Sequence, residues 1–205
     1  MEQKNKLLHL SCGFTLIELL IGLIIAASLM MLSTPMANVL RENKASSIMH
    51  EFVTALNFAR SEAIMRGNRV TVCRTISGKE CEGEPDINDQ KDWSKGWMVF
   101  SDINGNGQFN STQDEILRVR GALEGGYTLR SNARVRVTYK PIGISPGFMD
   151  SWAVCAPGNN GSATKGVVVA YTGRVRYAKD TNNDGKIDNG TPGNRRAPRE
   201  LVCYS

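Results

Sequence analysis

The strongest constraint on this chain is an apolar run from Phe14 to Met36, FTLIELLIGLIIAASLMMLSTPM, in which Glu18 is the single charged residue. Wound as a helix, a run of that length crosses a hydrocarbon layer of about 30 Å. The residues ahead of it, MEQKNKLLHLSCG, are polar and basic at Lys4 and Lys6. A secretory signal places its apolar core before the cleavage site; here the core follows, so cleavage after Gly13 would leave the membrane helix on the mature chain. The leader lysines favour the cytoplasmic side and send the C-terminal part outward. The expected division is a leader at 1–13, a membrane-spanning half-helix at 14–36, an amphipathic half-helix at 37–67 and a β-rich head at 68–205.

Glu18 is the oddity in the run. An ionised carboxylate at mid-bilayer costs about 2.5–3.5 kcal/mol on insertion scales, less near the interface, so it calls for a partner. After cleavage the nearest is the new amino group of Phe14, in the same or a neighbouring subunit; the alternative is solvation by lipid headgroups. Gly13-Phe14-Thr15-Leu16-Ile17-Glu18-Leu19, after a short basic leader and before an apolar helix interrupted by Pro35, resembles the signature of type IV prepilins and type II secretion pseudopilins. The resemblance implies cleavage between Gly13 and Phe14 by the prepilin peptidase, N-methylation of Phe14, and Glu18 neutralising a neighbouring subunit's N-terminus during assembly. It further implies a bacterial inner-membrane protein, single-pass with a periplasmic head, assembled with other pilins or pseudopilins through the N-terminal helix.

Beyond Pro35, which is expected to kink or loosen the helix, Ala45, Ile48, Met49, Phe52, Val53, Leu56, Ala59 and Ala63 recur at helical spacing until Gly67. One face must be covered, and a sheet is the natural cover. Strand-like runs follow at 69–74, 96–101, 115–120, 127–130, 134–140, 152–155, 167–171 and 174–177. The expected fold class is α+β, a long N-terminal helix packed on an antiparallel sheet. The stretches ALNFARSEAIM, RVTVCR, GWMVFSDINGNG, DEILRVR and GRVR resemble those of FimT-type minor pilins and of minor pseudopilin H of type II secretion, which share one domain type. Residues 180–199 look like an insertion in that pattern.

The 205 residues, 41% of them apolar, allow a membrane helix and one domain with its own core. The formal charge of +5 is unevenly spread. Residues 78–115 carry three Lys against nine acids, and residues 116–205 carry fourteen Lys and Arg against six acids. A basic C-terminal half favours an anionic partner such as nucleic acid or phospholipid; the alternative is that strand-rich surfaces carry cations for solubility and edge protection. With Cys12 lost on the leader, Cys73, Cys81, Cys155 and Cys203 remain, an even number for an oxidising compartment. Three pairings are open. The expected one joins Cys73 to Cys81 across a short loop and Cys155 to Cys203 at the C-terminus; no CxxC or nearby His points to metal instead.

Three further segments carry candidate chemistry. In Val167–Tyr177 a Thr-Gly pair separates two strand-like runs, and alternation puts Arg174 and Arg176 on one face, about 6.7 Å apart at the Cα atoms. Both guanidiniums can then reach phosphates of one nucleic-acid strand. The resemblance implies the same, since GRxR here is similar to the DNA-contacting motif of FimT-type pilins that take part in DNA uptake. Lys179, Arg195, Arg196 and Arg199 extend the patch. The alternative is surface salt bridging or contact with neighbouring pilins. The run Asp180, Asn182, Asp184, Gly185, Lys186, Asp188 matches the first half of a calcium loop, with Lys186 supplying a backbone carbonyl, but position 12 is Thr191. Calcium there is weak, and the alternative is a polar Asx-rich turn. A second such pattern, Asp102-Ile-Asn104-Gly-Asn106-Gly107 with Gln113 at position 12, is expected to be a hairpin loop. No cofactor is required. His9 leaves with the leader and His50 sits on the helix, so no Ser-His-Asp or Cys-His arrangement is expected and the chain is read as not an enzyme. Trp93, Trp97 and Trp152 are expected in the core or as loop anchors.

Overall fold

The computed structural model describes residues 14–82, 92–158, 163–190 and 200–201, without the side chains of 31–37. It comprises two units, Met1–Leu40 and Arg41–Ser205. One helix, α1 (Leu16–Arg66), supplies the N-terminal unit and opens the second. Thr15 caps it, its carbonyl and hydroxyl oxygens accepting from the Glu18 N–H at 3.1 and 3.3 Å. The helix runs on through Pro35 rather than ending there.

In the N-terminal unit the helix is apolar without being covered. Leu16, Ile17, Leu19, Leu20, Ile21, Leu23, Ile24, Ile25, Leu29 and Met30 are all exposed. Among the described residues no helix is long and apolar enough to cross a membrane; the span expected over 14–36 includes 31–37, whose side chains lie outside the description.

The second unit is the head. Its part of α1 buries Ala45, Ile48, Met49, Phe52, Ala55, Leu56, Ala59 and Ala63, the face that the spacing marks out, with Val53 only half-buried. Gly67, at φ +66°, supplies the left-handed residue that ends the helix. Eight strands follow: β1 (Arg69–Arg74), β2 (Trp97–Asp102), β3 (Glu115–Arg120), β4 (Thr128–Ser131), β5 (Arg136–Tyr139), β6 (Asp150–Cys155), β7 (Lys165–Val169) and β8 (Val175–Tyr177). All pair antiparallel. They form two four-stranded sheets, ordered β3-β2-β1-β5 and β4-β6-β7-β8, rather than one. Periodicity along a strand reports which residues face inward, not which strand lies next to it, so this division was not readable from the chain.

Both sheets face the same helix stripe. Val70, Val72, Val99, Val137 and Tyr139 from one and Leu129, Trp152, Val154, Val167 and Val169 from the other meet the α1 residues in one core. At its centre Phe52 lies 5.5, 5.2 and 5.6 Å from the rings of Trp93, Trp97 and Trp152, the first two edge-on, the geometry aromatic quadrupoles favour. The three tryptophans are therefore core residues. Trp93 keeps a polar partner, its indole N–H donating to the Arg134 carbonyl at 3.1 Å.

The outer faces of the sheets carry two smaller cores. On one, Cys73, Met98 and Phe100 pack with Cys81 and Phe109. On the other, Ala153, Cys155 and Leu201 pack with Ala163, Ala178 and Ile187. Each small core pins one of the two Asp/Asn-rich loops to the head.

Candidate functional site

At the N-terminus Phe14 is 81% exposed and Glu18 stands exposed one turn into α1. Gly13, the expected cleavage residue, lies outside the described residues.

The basic hairpin forms between β7 and β8. Its turn closes through the Gly173 N–H donating to the Ala170 carbonyl at 2.8 Å and the Ala170 N–H to the Arg174 carbonyl at 3.0 Å. Gly173 has φ +74°, and a Cβ there would stand 2.1 Å from the Gly143 carbonyl oxygen, so only glycine fits. Arg60 on α1 holds this corner from below, donating to the Gly143 carbonyl at 2.9 Å and to the Thr172 carbonyl at 3.3 Å. Val175 packs against the core, which turns Arg174 and Arg176 outward as alternation requires. Their states differ. Arg174 is exposed, whereas Arg176 is half-buried and donates from Nη2 to the Asn189 carbonyl at 2.6 Å. Lys179 is exposed and bridges Asp188 through its main chain. Tyr171, 52% exposed, is the aromatic at this turn; no tryptophan lies there. Arg195, Arg196 and Arg199 lie outside the described residues.

Arg176 thus joins the hairpin to the Asp180–Asp188 loop. In that loop Asp180 accepts from the Asn183 N–H at 2.7 Å and the Gly185 N–H at 2.8 Å. Asn182 Oδ1 accepts from the Asp184 N–H at 3.2 Å, and its Nδ2 donates to Asp184 at 2.8 Å. Asp184 accepts from the Lys186 N–H at 2.9 Å. That N–H, then the Asn182 amide, holds the Asp184 carboxyl below its ordinary range. Asn183 and Gly185 take positive φ of 62° and 84°. Asp188 is fully buried; one carboxylate oxygen accepts from the Thr181 N–H at 3.0 Å and the Thr181 hydroxyl at 2.8 Å. Its other oxygen has no hydrogen-bond partner among the described residues. Lys186 points its ammonium to Glu200 at 2.8 Å, and Asp188 bridges Glu200 by its main chain. Among the described residues no three His, Cys, Asp or Glu side chains gather into a metal-holding group. Thr191, at position 12, lies outside the described residues.

The Asp102–Gly107 segment is a loop between β2 and β3, as expected. Asp102 is fully buried and accepts from the Thr71 hydroxyl and the Gly107 N–H, both at 3.0 Å. Asp114 closes the loop, accepting from the Ile103 N–H at 3.0 Å and the Asn110 N–H at 2.8 Å.

Cys73 and Cys81 form the expected disulfide. Cys155 is disulfide-bonded as well; Cys203, the expected partner, lies outside the described residues. His50 on α1 pairs with the Tyr177 hydroxyl at 2.8 Å. Arg60, Asn189 and Glu200 were not singled out by sequence. Arg60 acts on residues 83 and 112 positions away, and Glu200 on one 14 positions away, where no local pattern reaches.

This head can be set beside known proteins. A family model described as type II transport protein GspH matches residues 49–173, more than half of the chain. The chain belongs to the GspH family. A second model, the prokaryotic N-terminal methylation motif, matches residues 9–34 and so encloses Gly13, Phe14 and Glu18. The crystal structure of the type IV minor pilin FimU from Pseudomonas aeruginosa strain PAO1 in space group P21 shares the fold at TM-score 0.50 and 20% identity, over 67% of this chain and 90% of that one. The same pilin in space group P65 gives 0.48 and 19%, over 65% and 92%. No curated protein matches the chain. In this GspH-family chain the family match ends at Gly173, so Arg174, Arg176, Lys179 and the Asp180–Asp188 loop lie beyond it.

Proposed function

We propose that this GspH-family chain is a FimT-like minor type IV pilin, anchored in the bacterial inner membrane with a periplasmic head, built into a pilus and contacting duplex DNA for uptake. The observation that carries the filament reading is the exposed apolar stretch of α1 from Leu16 to Met30 with Glu18 as its single carboxylate. A helix apolar on all sides needs lipid or other helices around it. Prepilin-peptidase processing after Gly13 and methylation of Phe14 fit the matched N-terminal motif. In the filament, Glu18 pairs with the Phe14 amine of a neighbouring pilin.

DNA contact is supported by two exposed cations, Arg174 at the β7–β8 turn and Lys179 past the other end of β8, with Tyr171 exposed at the turn. Arg176 extends the patch, although its tie to Asn189 leaves it less reach. The test is duplex binding by the full chain in detergent across salt concentrations. Two or three phosphate contacts give a log–log slope of about −2 to −3, and Arg174→Gln reduces it by about 1. Absence of binding at low salt removes the DNA reading. It would favour the second reading, a minor pseudopilin H at the tip of a type II secretion pseudopilus. The Arg176 bond to Asn189 favours that reading, because it gives the basic hairpin a structural use.

A further inference from the structure

We infer that the Asp180–Asp188 loop is a calcium site, with Asp180, Asn182, Asp184, the Lys186 main-chain carbonyl and Asp188 as its oxygen donors. This goes beyond the pilin and DNA readings and depends on neither. The loop's internal hydrogen bonds would equally suit a polar turn. Asp188 distinguishes the two. It is 0% exposed, and it turns its carboxylate to the loop, one oxygen taking the N–H and hydroxyl of Thr181 at 3.0 and 2.8 Å. The other oxygen is buried with no hydrogen-bond partner among the described residues. A buried, half-satisfied carboxylate is costly unless a donor or cation completes it.

The donor chemistry selects the ion. Every candidate ligand is an oxygen, three of them carboxylates, and neither His nor Cys lies between Asp180 and Asp188, which suits a hard cation and not zinc or copper. The left-handed Gly185, φ +84°, makes the sharp bend such loops need at position 6. Two of the cations beside the loop are already engaged. Lys186 is neutralised by Glu200 at 2.8 Å, and Arg176 is directed to the Asn189 carbonyl at 2.6 Å. The three carboxylates do not gather into a cluster by themselves, so the ion must also draw on Asn182 and the Lys186 carbonyl. That places the affinity in the weak class of extracellular modules, about 10⁻⁴–10⁻³ M.

The test uses the full chain in detergent, stripped with chelator, followed by calorimetric titration and thermal melting with calcium chloride or magnesium chloride. One calcium per chain is expected, with Tm raised by about 5 °C at a hundredfold excess over Kd and a smaller response to magnesium. The double variant Asp180→Asn/Asp184→Asn should keep the metal-free Tm and weaken calcium at least tenfold. Titration heat and Tm unchanged by calcium in the parent chain would overturn the proposal whatever the variant does. So would a parent-like calcium response in the folded variant, and an equal response to magnesium would overturn the choice of ion.

Discussion

The two Asp/Asn-rich loops of the head share a local pattern and differ in what surrounds it. Asp102 and Asp180 each accept from the N–H of the glycine five residues on, Gly107 and Gly185. Asn104 and Asn182 each accept from the N–H two residues on, and Asn106 and Asp184 do the same. Each loop is followed by a side chain that anchors it in a small outer core, Phe109 in one and Ile187 in the other. Asp102 and Asp188 also each keep one buried carboxylate oxygen with no hydrogen-bond partner among the described residues. There the likeness ends. Asp102 ends β2 opposite Arg69 of β1 and is bonded to Thr71, with Arg69 donating to the Gly105 carbonyl at 2.7 Å. The position corresponding to Asp188 is Asn110, whose side chain takes the N–H and hydroxyl of Thr112. The first loop is a structural plug fringed by cations, and the second concentrates carboxylates. Equal short-range hydrogen bonding can thus serve different ends, because charge and burial come from residues outside the repeat.

The largest test of that contrast is Asp102→Ala. It strips the buried Gly107 N–H of its acceptor and should cost about 3 kcal/mol, independent of calcium. Asp180→Ala, in chelator, should cost less than about 1 kcal/mol. Urea unfolding of both variants checks this, and equal losses would break the distinction. Next come the glycines. Gly107→Ala and Gly185→Ala both place a side chain at positive φ, for about 1–2 kcal/mol. At Gly107 the new Cβ would also stand 2.8 Å from Arg136 Nε, whereas around Gly185 the space is open. Gly107→Ala should therefore show the larger drop in Tm, and a reversed order would mean the first loop is the looser one.

The smallest effect concerns a third buried carboxylate, Asp150, which accepts from the N–H groups of Ala133 and Arg134 at 3.0 and 2.7 Å. Burial pushes its pKa up, and those N–H groups only partly oppose the shift. A raised folded pKa means that the folded state yields the proton less readily. Its stabilising contribution is present below the ordinary carboxylate value and is lost as pH rises through the raised one. The stability difference between Asp150→Asn and the parent should therefore move in the variant's favour as pH rises above the ordinary carboxylate range. A difference independent of pH would show that backbone donors alone satisfy a buried carboxylate, weakening the case that Asp188 needs more than Thr181.

Much of the fold was legible because it follows from short-range periodicity. The helical stripe from Ala45 to Ala63, the stop at Gly67, and strands β1 and β3 to the residue were readable in the chain. Other strand ends moved by one or two residues at most, with an irregularity in the β2–β3 register at Val99/Phe100. The Cys73–Cys81 disulfide was legible because a short loop brings its ends together. Among the site residues, Arg174 and Arg176 fell on one face as alternation demands. Their unequal availability was not legible, since it depends on Asn189 coming back to the hairpin.

By itself the sequence determined the apolar helix with its single Glu18, the α+β class, and the candidate residues of the hairpin and both loops. Each of those rests on composition or on spacing of a few residues, which the chain states directly. Only the tertiary structure decided that the strands divide into two sheets around Phe52, that Arg60 supports the basic turn, that Glu200 meets Lys186, and that one oxygen of Asp188 is buried without a donor among the described residues. Those facts arise from contacts between segments distant in sequence, where burial and charge are set by the packed neighbours and not by the local pattern.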